Sequence, residues 1–193
     1  MDKIEKFINI FQENKQNIGE FKLIEEKKEI DSDIEKKLSI ELRDFYLKYN
    51  LEDTPTICGD FYIEFIPLKR IKDIEEGWKW IKKDGKLVRD ISWNENWVIF
   101  AVRNEDILIA DIGEEGTPII GSMQKRNFKI ADSFIEFFDV LTECITIEEE
   151  IFNGDTRNED LSFKLEFLET IKYNLENKLS KGNAMNFYNF FFE

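Results

Sequence analysis

Two runs near the middle of the chain, Trp97-Val98-Ile99-Phe100-Ala101-Val102 and Ile107-Leu108-Ile109-Ala110-Asp111-Ile112, decide most of what this molecule can fold into. A strand with one wet face alternates apolar and polar residues, whereas these runs are apolar at both parities. They therefore belong inside a sheet covered on both faces. Asn104-Glu105-Asp106 between them reads as a turn, which makes the two runs antiparallel neighbours. The covering layers must come from the rest of the chain.

Helical periodicity supplies candidates on either side. Ile4, Phe7, Ile8 and Phe11 predict an amphipathic opening helix, ended by Asn17-Ile18-Gly19. Residues 20–30 suit a helix and an extended segment equally. Ser32 with Glu35 makes an S-x-x-E capping box ahead of Ile34 and Leu38, and Ser39 can cap a short helix carrying Leu42, Phe45, Tyr46 and Tyr49. Residues 53–60 read as a loop and Phe61–Ile66 as a strand. Pro67 can begin a helix in which Leu68, Ile71, Ile74, Trp78 and Ile81 keep helical spacing, followed by a turn at Lys83–Lys86 and an irregular stretch to Asn96. Thr117-Pro118-Ile119-Ile120 is a short third strand, which Pro118 places at an edge or gives a special start.

Asp132 or Ser133 caps a long helix through Phe134, Phe137, Phe138, Leu141 and Ile145. Asn153-Gly154-Asp155 breaks the pattern and marks the domain boundary, giving residues 1–153 and a C-terminal helical extension over 154–193. In that extension Leu161, Leu165, Leu168, Ile171, Leu175 and Leu179 trace one helical face, ended by Gly182-Asn183. The Phe-rich end at 187–192 is too apolar to stay in water, at about 2 kcal/mol per phenylalanine. It docks on the chain's own core, the alternative being homodimerisation through 161–192. The fold class is α+β, a mostly antiparallel sheet packed against helices.

Composition narrows function by exclusion. Among 193 residues there is no histidine, which removes Ser-His-Asp and Cys-His catalysis and imidazole metal ligation. Cys58 and Cys144 are far apart and fit no zinc knuckle or disulfide framework, so a reducing compartment is expected. The N-terminus alternates charge with apolar residues, unlike a signal peptide, and no apolar run approaches the ~18 residues of a membrane span. A cytoplasmic protein is expected. The formal net charge of −14 repels phosphate backbones and anionic lipid and favours a cationic protein partner.

Particular residues also look familiar. Leu38-Ser39-Ile40-Glu41-Leu42-Arg43-Asp44-Phe45-Tyr46-Leu47-Lys48-Tyr49-Asn50 resembles the "LP.elrdFYlkyNG" segment of the SMI1/KNR4 family, the SUKH superfamily. The pair of runs at 97–101 and 107–111 resembles its "w.iFa....gd.i..D" hairpin, and Thr117–Ile120 its "tPVy" strand. Leu51 stands where the family usually has glycine. The resemblance covers roughly residues 30–145. It implies a compact helix-backed sheet without enzymatic activity or cofactor. In bacterial members it implies an immunity protein that binds and neutralises a cognate polymorphic toxin, often a nuclease; fungal members are regulatory scaffolds.

The candidate binding surface is acidic. Glu105, Asp106, Asp111, Glu114 and Glu115 form the densest patch, with no basic residue among positions 105–115, and Asp60, Glu64 and Trp93 are candidates to extend it. Ordinary solubilising charge at turns is the competing reading. Trp93 is either an exposed interface anchor or a half-buried lid over the sheet. Metal binding by carboxylates lacks EF-hand spacing, and a carboxylate acid–base pair needs a pocket that the sequence cannot supply.

Overall fold

A computed structural model describes residues 2–25 and 38–193. Its centre is a seven-stranded sheet in which every neighbouring pair is antiparallel. In chain order the elements are α1 (Lys3–Glu13), β1 (Ile18–Leu23), α2 (Ile40–Lys48), β2 (Tyr49–Ile57), β3 (Ile63–Phe65), α3 (Ile71–Ile74), β4 (Trp80–Lys83), β5 (Lys86–Arg89), β6 (Trp97–Arg103), β7 (Asp106–Asp111), β8 (Ile119–Met123), β9 (Arg126–Ala131), α4 (Phe134–Thr146), α5 (Leu165–Lys178) and α6 (Lys181–Phe192). The sheet order is β1-β2-β3-β6-β7-β8-β9, and β4 and β5 form a separate hairpin. This is the expected α+β architecture.

The two central runs are β6 and β7, paired with Val98 opposite Ala110 and Val102 opposite Ile107. One face of the sheet is covered by helices. Phe134, Phe137 and Phe138 of α4 meet Phe100, Phe65 and Phe45, and Phe7 of α1 meets Phe21, Phe65 and Phe138 in edge-on ring contacts at 4.8–5.8 Å. On the other face Ile99, Ile107 and Ile109 are buried beneath Trp93, with Ile74, Trp78, Trp97 and Ile120 around them. A sheet apolar on both sides thus finds two covers: a thick helical one, and a thin one made by α3, Trp78 and the loop that carries Trp93.

Polar caps set the helix starts where the sequence places them. Asp2 accepts from the Ile4 amide, Ser39 from Leu42 and Ser133 from Glu136, so α1, α2 and α4 begin as expected. The box at Ser32 and Glu35 lies outside the described residues.

Several expectations are corrected. Residues 53–57 are strand, not loop: β2 continues through a bulge in which Asp53, Thr54 and Pro55 oppose Gly19 alone. Pro55 sits in that bulge, where the ladder asks nothing of its missing N–H. Gly19 has φ +74, and a Cβ there would lie 2.7 Å from the Glu52 carbonyl oxygen, so this register needs glycine. The helix expected from Pro67 to Ile81 shrinks to a single 3-10 turn at Leu68–Arg70 plus α3. Gly77 at φ +90 ends it, and Trp80 and Ile81 enter a strand instead. The stretch after Lys83 contains β5, joined through Asp84 and Gly85, both at positive φ. β8 is interior, between β7 and β9, because Pro118 precedes the strand and offers its carbonyl to the Asp111 amide. β9 itself escapes the sequence reading, since its turn is built from Gln124 and Lys125 at positive φ without a glycine.

At the C-terminal end, α5 buries Phe167, Ile171 and Leu175, whereas Leu161 and Leu165 stand exposed. Gly182 and Asn183 lie inside α6, which Ser180 caps, and they do not end a helix. The Phe-rich end is that helix. Phe190 sits over Gly121 and Phe128, Phe187 meets Phe137, and Phe191 and Phe192 close on Phe61.

Candidate functional site

The antiparallel hairpin of β6 and β7 separates residues that look contiguous in sequence. β7 is six residues long, a rise of about 17 Å between its ends. Glu105 and Asp106 lie at its start; Asp111, Glu114 and Glu115 lie at or beyond its finish. The expected patch over 105–115 is therefore two patches at opposite ends of the sheet.

The first end gathers Asp60, Glu64, Glu105 and Asp106. Glu64 of β3 is opposite Val102, and Asp106 opposite Arg103. Most of this charge is already engaged. Asp60 takes two bonds from the Arg157 guanidinium, at 2.8 and 2.7 Å, and one from the Thr156 hydroxyl. Glu64 accepts from the Tyr62 hydroxyl, which that bond and burial push up to about 12. Asp106 accepts from the Gln124 amide at 3.2 Å, and Glu105 is left exposed. Arg103 stands in the same place, donating to the Phe191 carbonyl at 2.7 Å and lying against the Phe190 and Phe191 rings. This end is a mixed, internally paired cluster that ties the C-terminal helices to the sheet.

The second end is different. Asp111 is only 8 % exposed; it accepts from Trp97 Nε1 at 3.0 Å and the Gly113 amide at 3.1 Å, so its carboxylate holds the strand end and the following turn together. Glu114 and Glu115 project at the tip of that loop. Helices α2 and α4 also start here: Thr117 donates to Glu41 at 2.8 Å, the Phe134 amide donates to the Gly116 carbonyl, and the Asp132 amide donates to Glu136 at 2.6 Å. Glu41, Glu114, Glu115, Asp132 and Glu136 thus share one end of the molecule, with Lys129, paired to Asp132, as the cation among them. Beside them a hollow of about 270 Å³ is lined by Trp97, Asp111, Glu114, Pro118, Ile120 and Lys129, among others. Glu41, Asp132 and Glu136 are missing from the sequence-based candidates. The signal for them was the helix caps at Ser39 and Ser133, because acidic residues in the first turns of two helices mark the end from which both start.

Trp93 belongs to neither end. At 7 % exposure it is the lid over Ile99, Ile107 and Ile109, with its ring edge-on to Trp97 at 5.5 Å. Burial of the indole removes it as an exposed interface anchor.

A carboxyl held well above its ordinary range lies elsewhere. Glu148, in a π-helical turn over Ile147–Ile151, is 8 % exposed and accepts from the Asp60 amide at 3.0 Å. Burial pushes it up to about 7. The close approach of Gly59, whose Cβ would fall 2.6 Å from the Glu148 carboxylate, seals it in. With both Asp60 oxygens occupied by Arg157 and Thr156, this group works as a lock between the entry to β3 and the turn after α4. Cys144 is buried, and its thiol is pushed well above its ordinary range by desolvation. Among the described residues no group of three His, Cys, Asp or Glu side chains is placed to hold a metal ion, and no helix is long and apolar enough to cross a membrane.

A family model described as SMI1 / KNR4 family (SUKH-1) matches residues 24–140, from the end of β1 into α4. No curated protein and no solved structure matches the chain.

Proposed function

Since the chain belongs to the SMI1/KNR4 family (SUKH-1), a family of immunity-type and generally non-catalytic proteins, we propose that it is an immunity protein that binds and neutralises a cognate polymorphic toxin by stoichiometric occlusion. The observation that carries the reading is the gathering of Glu41, Glu114, Glu115, Asp132 and Glu136 at the end of the sheet where α2 and α4 begin. A surface that is acidic but for Lys129, on a body of net charge −14, attracts a cationic partner from a distance and orients it before contact. The hollow lined by Trp97, Pro118 and Ile120, with Glu114 on its edge, gives an arriving side chain an apolar seat beside those acids. No bond-making is asked of the protein. Its groups hold a surface in place, and inhibition comes from covering the toxin's working site. The protein acts in the cytoplasm in this reading.

The test takes the product of the gene neighbouring that of this chain as the candidate toxin and mixes it with the purified protein in stopped flow. Reversal at the two exposed tips, E114K/E115K, lowers the association rate about tenfold at low salt and flattens its salt dependence, because steering is screened over a Debye length. An unchanged rate refutes this surface. Failure of the wild-type protein to form a complex or to restore growth of a toxin-producing cell refutes the neutralisation itself. The second reading is a regulatory scaffold for an endogenous protein, and the identity of what co-purifies with the native chain separates the two.

A further inference from the structure

The most basic stretch of this acidic chain is one that no strand of the main sheet pairs with, the β4–β5 hairpin. Residues 79–89 contain Lys79, Lys82, Lys83, Lys86 and Arg89 against a single acid, Asp84. The turn is tight, with Asp84 at φ +52 and Gly85 at φ +75, so Lys83 and Lys86 stand directly opposite each other. Like charges across a strand pair repel. Among the described residues neither lysine has an ion-pair partner, so nothing described within the fold compensates that repulsion.

The two faces of the hairpin differ. Ile81 and Val88 are half-buried on one face; Lys83 and Lys86 share that parity but flank the turn, exposed at the tip of the hairpin. The outward face is a checkerboard: Trp80 pairs with Arg89 and Lys82 with Leu87, which sets the two apolar groups on one diagonal and the two cations on the other. Trp80 is 38 % exposed, Leu87 53 %, and Ile91 just beyond is fully exposed. The base is firmly anchored. Trp80 Nε1 and the Lys79 ammonium both donate to Glu75, Arg89 donates to the Trp93 carbonyl at 2.9 Å, and Asp90 pairs with Lys125 of the β8–β9 turn at 2.9 Å. The remaining pairs, Lys82 with Glu76 and Arg89 with Glu95, are exposed and hold little energy, so their cations can exchange onto another carboxylate.

We propose that the tip and outward face of the β4–β5 hairpin are a docking surface for an acidic protein segment in which pairs of carboxylates alternate with pairs of apolar side chains, so that one side of the extended segment carries both kinds. The carboxylates meet Lys83 and Lys86 at the tip and Lys82 and Arg89 on the outward face, and the apolar groups cover Trp80, Leu87 and Ile91. A polynucleotide satisfies the cations but leaves the leucine and isoleucine wet, and the −14 body repels it. This inference does not rest on the neutralisation reading, and its test needs no toxin.

The full chain is titrated with a synthetic peptide that repeats Glu-Glu-Leu-Leu while the Trp80 indole and the Lys83–Leu87 amides are followed by NMR. Saturable shifts confined to the hairpin are expected, weakening with salt. K83E/K86E weakens binding at least about tenfold, W80A does likewise, and K83R/K86R retains it. E114K/E115K, at the far acidic end, binds at least as well as the parent. All these positions are exposed, so unchanged circular dichroism certifies the fold. Absence of a saturable shift, equal affinity of K83E/K86E, or tighter binding of a DNA duplex than of the peptide overturns the proposal.

Discussion

At the scale of single residues, the carboxyl of Glu148 makes the sharpest prediction. Its folded value is raised by burial from 4.5 to about 7, so between those values the folded chain holds a proton that the unfolded chain has lost. Stability therefore falls as pH rises through this window, and above pH 7 burial of the charge costs on the order of 3 kcal/mol. Glu148→Gln keeps an oxygen for the Asp60 amide and cannot ionise. The variant should be more stable than the parent by about that amount at pH 8 and indistinguishable from it at pH 4, measured by urea unfolding at each pH. A difference that does not change with pH would show that the carboxyl is not titrating in place. Nothing in the sequence singled Glu148 out from Glu149 and Glu150, since its burial depends on Gly59 and Asp60 arriving in the distant loop between β2 and β3. Asp111 was singled out for its charge. Its role proved to be internal, because a carboxylate with Trp97 Nε1 and the Gly113 amide as donors is spent on the fold.

At the scale of elements, legibility followed local chemistry. The helix starts at Ser39 and Ser133 were readable, as were β6 and β7, whose apolar runs permit one environment only; the start at Ser180 was not. What failed was whatever a distant partner decides. The β2 bulge exists because Gly19 can lie under the Glu52 carbonyl, and β9 exists because β8 offers it an edge, although its turn holds no glycine. The docking of α6 is a testable case of such partnership. A Cβ on Gly121 would lie 2.7 Å from the Phe190 ring, which is itself buried. Gly121→Ala should destabilise by about 1–3 kcal/mol through overpacking, and Phe190→Ala by about 3–5 kcal/mol through the cavity it leaves. The double variant should cost less than the two single costs together, because alanine at 190 makes room for the new methyl. Strict additivity in a denaturant cycle would mean that α6 does not sit on β8 as described.

At the scale of the whole molecule, one question is whether residues 154–193 are an appendage or part of what folds. Phe167, Ile171, Leu175, Phe187, Phe190 and Phe191 belong to the same buried cluster as Phe7 of α1 and Phe138 of α4. Arg103 of β6 donates to the carbonyl of Phe191, and Arg157 is locked to Asp60. Cutting the chain after residue 153 would uncover Phe61, Phe128 and Phe137 together, each now in ring contact with α6. With each buried aromatic ring contributing about 2 kcal/mol, the loss is comparable to the whole stability margin of a domain. The shortened chain should lack a cooperative thermal transition or be recovered aggregated, while the intact chain should melt in one step by both near- and far-ultraviolet circular dichroism. A soluble fragment 1–153 melting cooperatively near the parent temperature would instead make the extension dispensable to the core. The acidic end, built wholly from residues before 153, would then have to be tested for partner binding on that fragment alone.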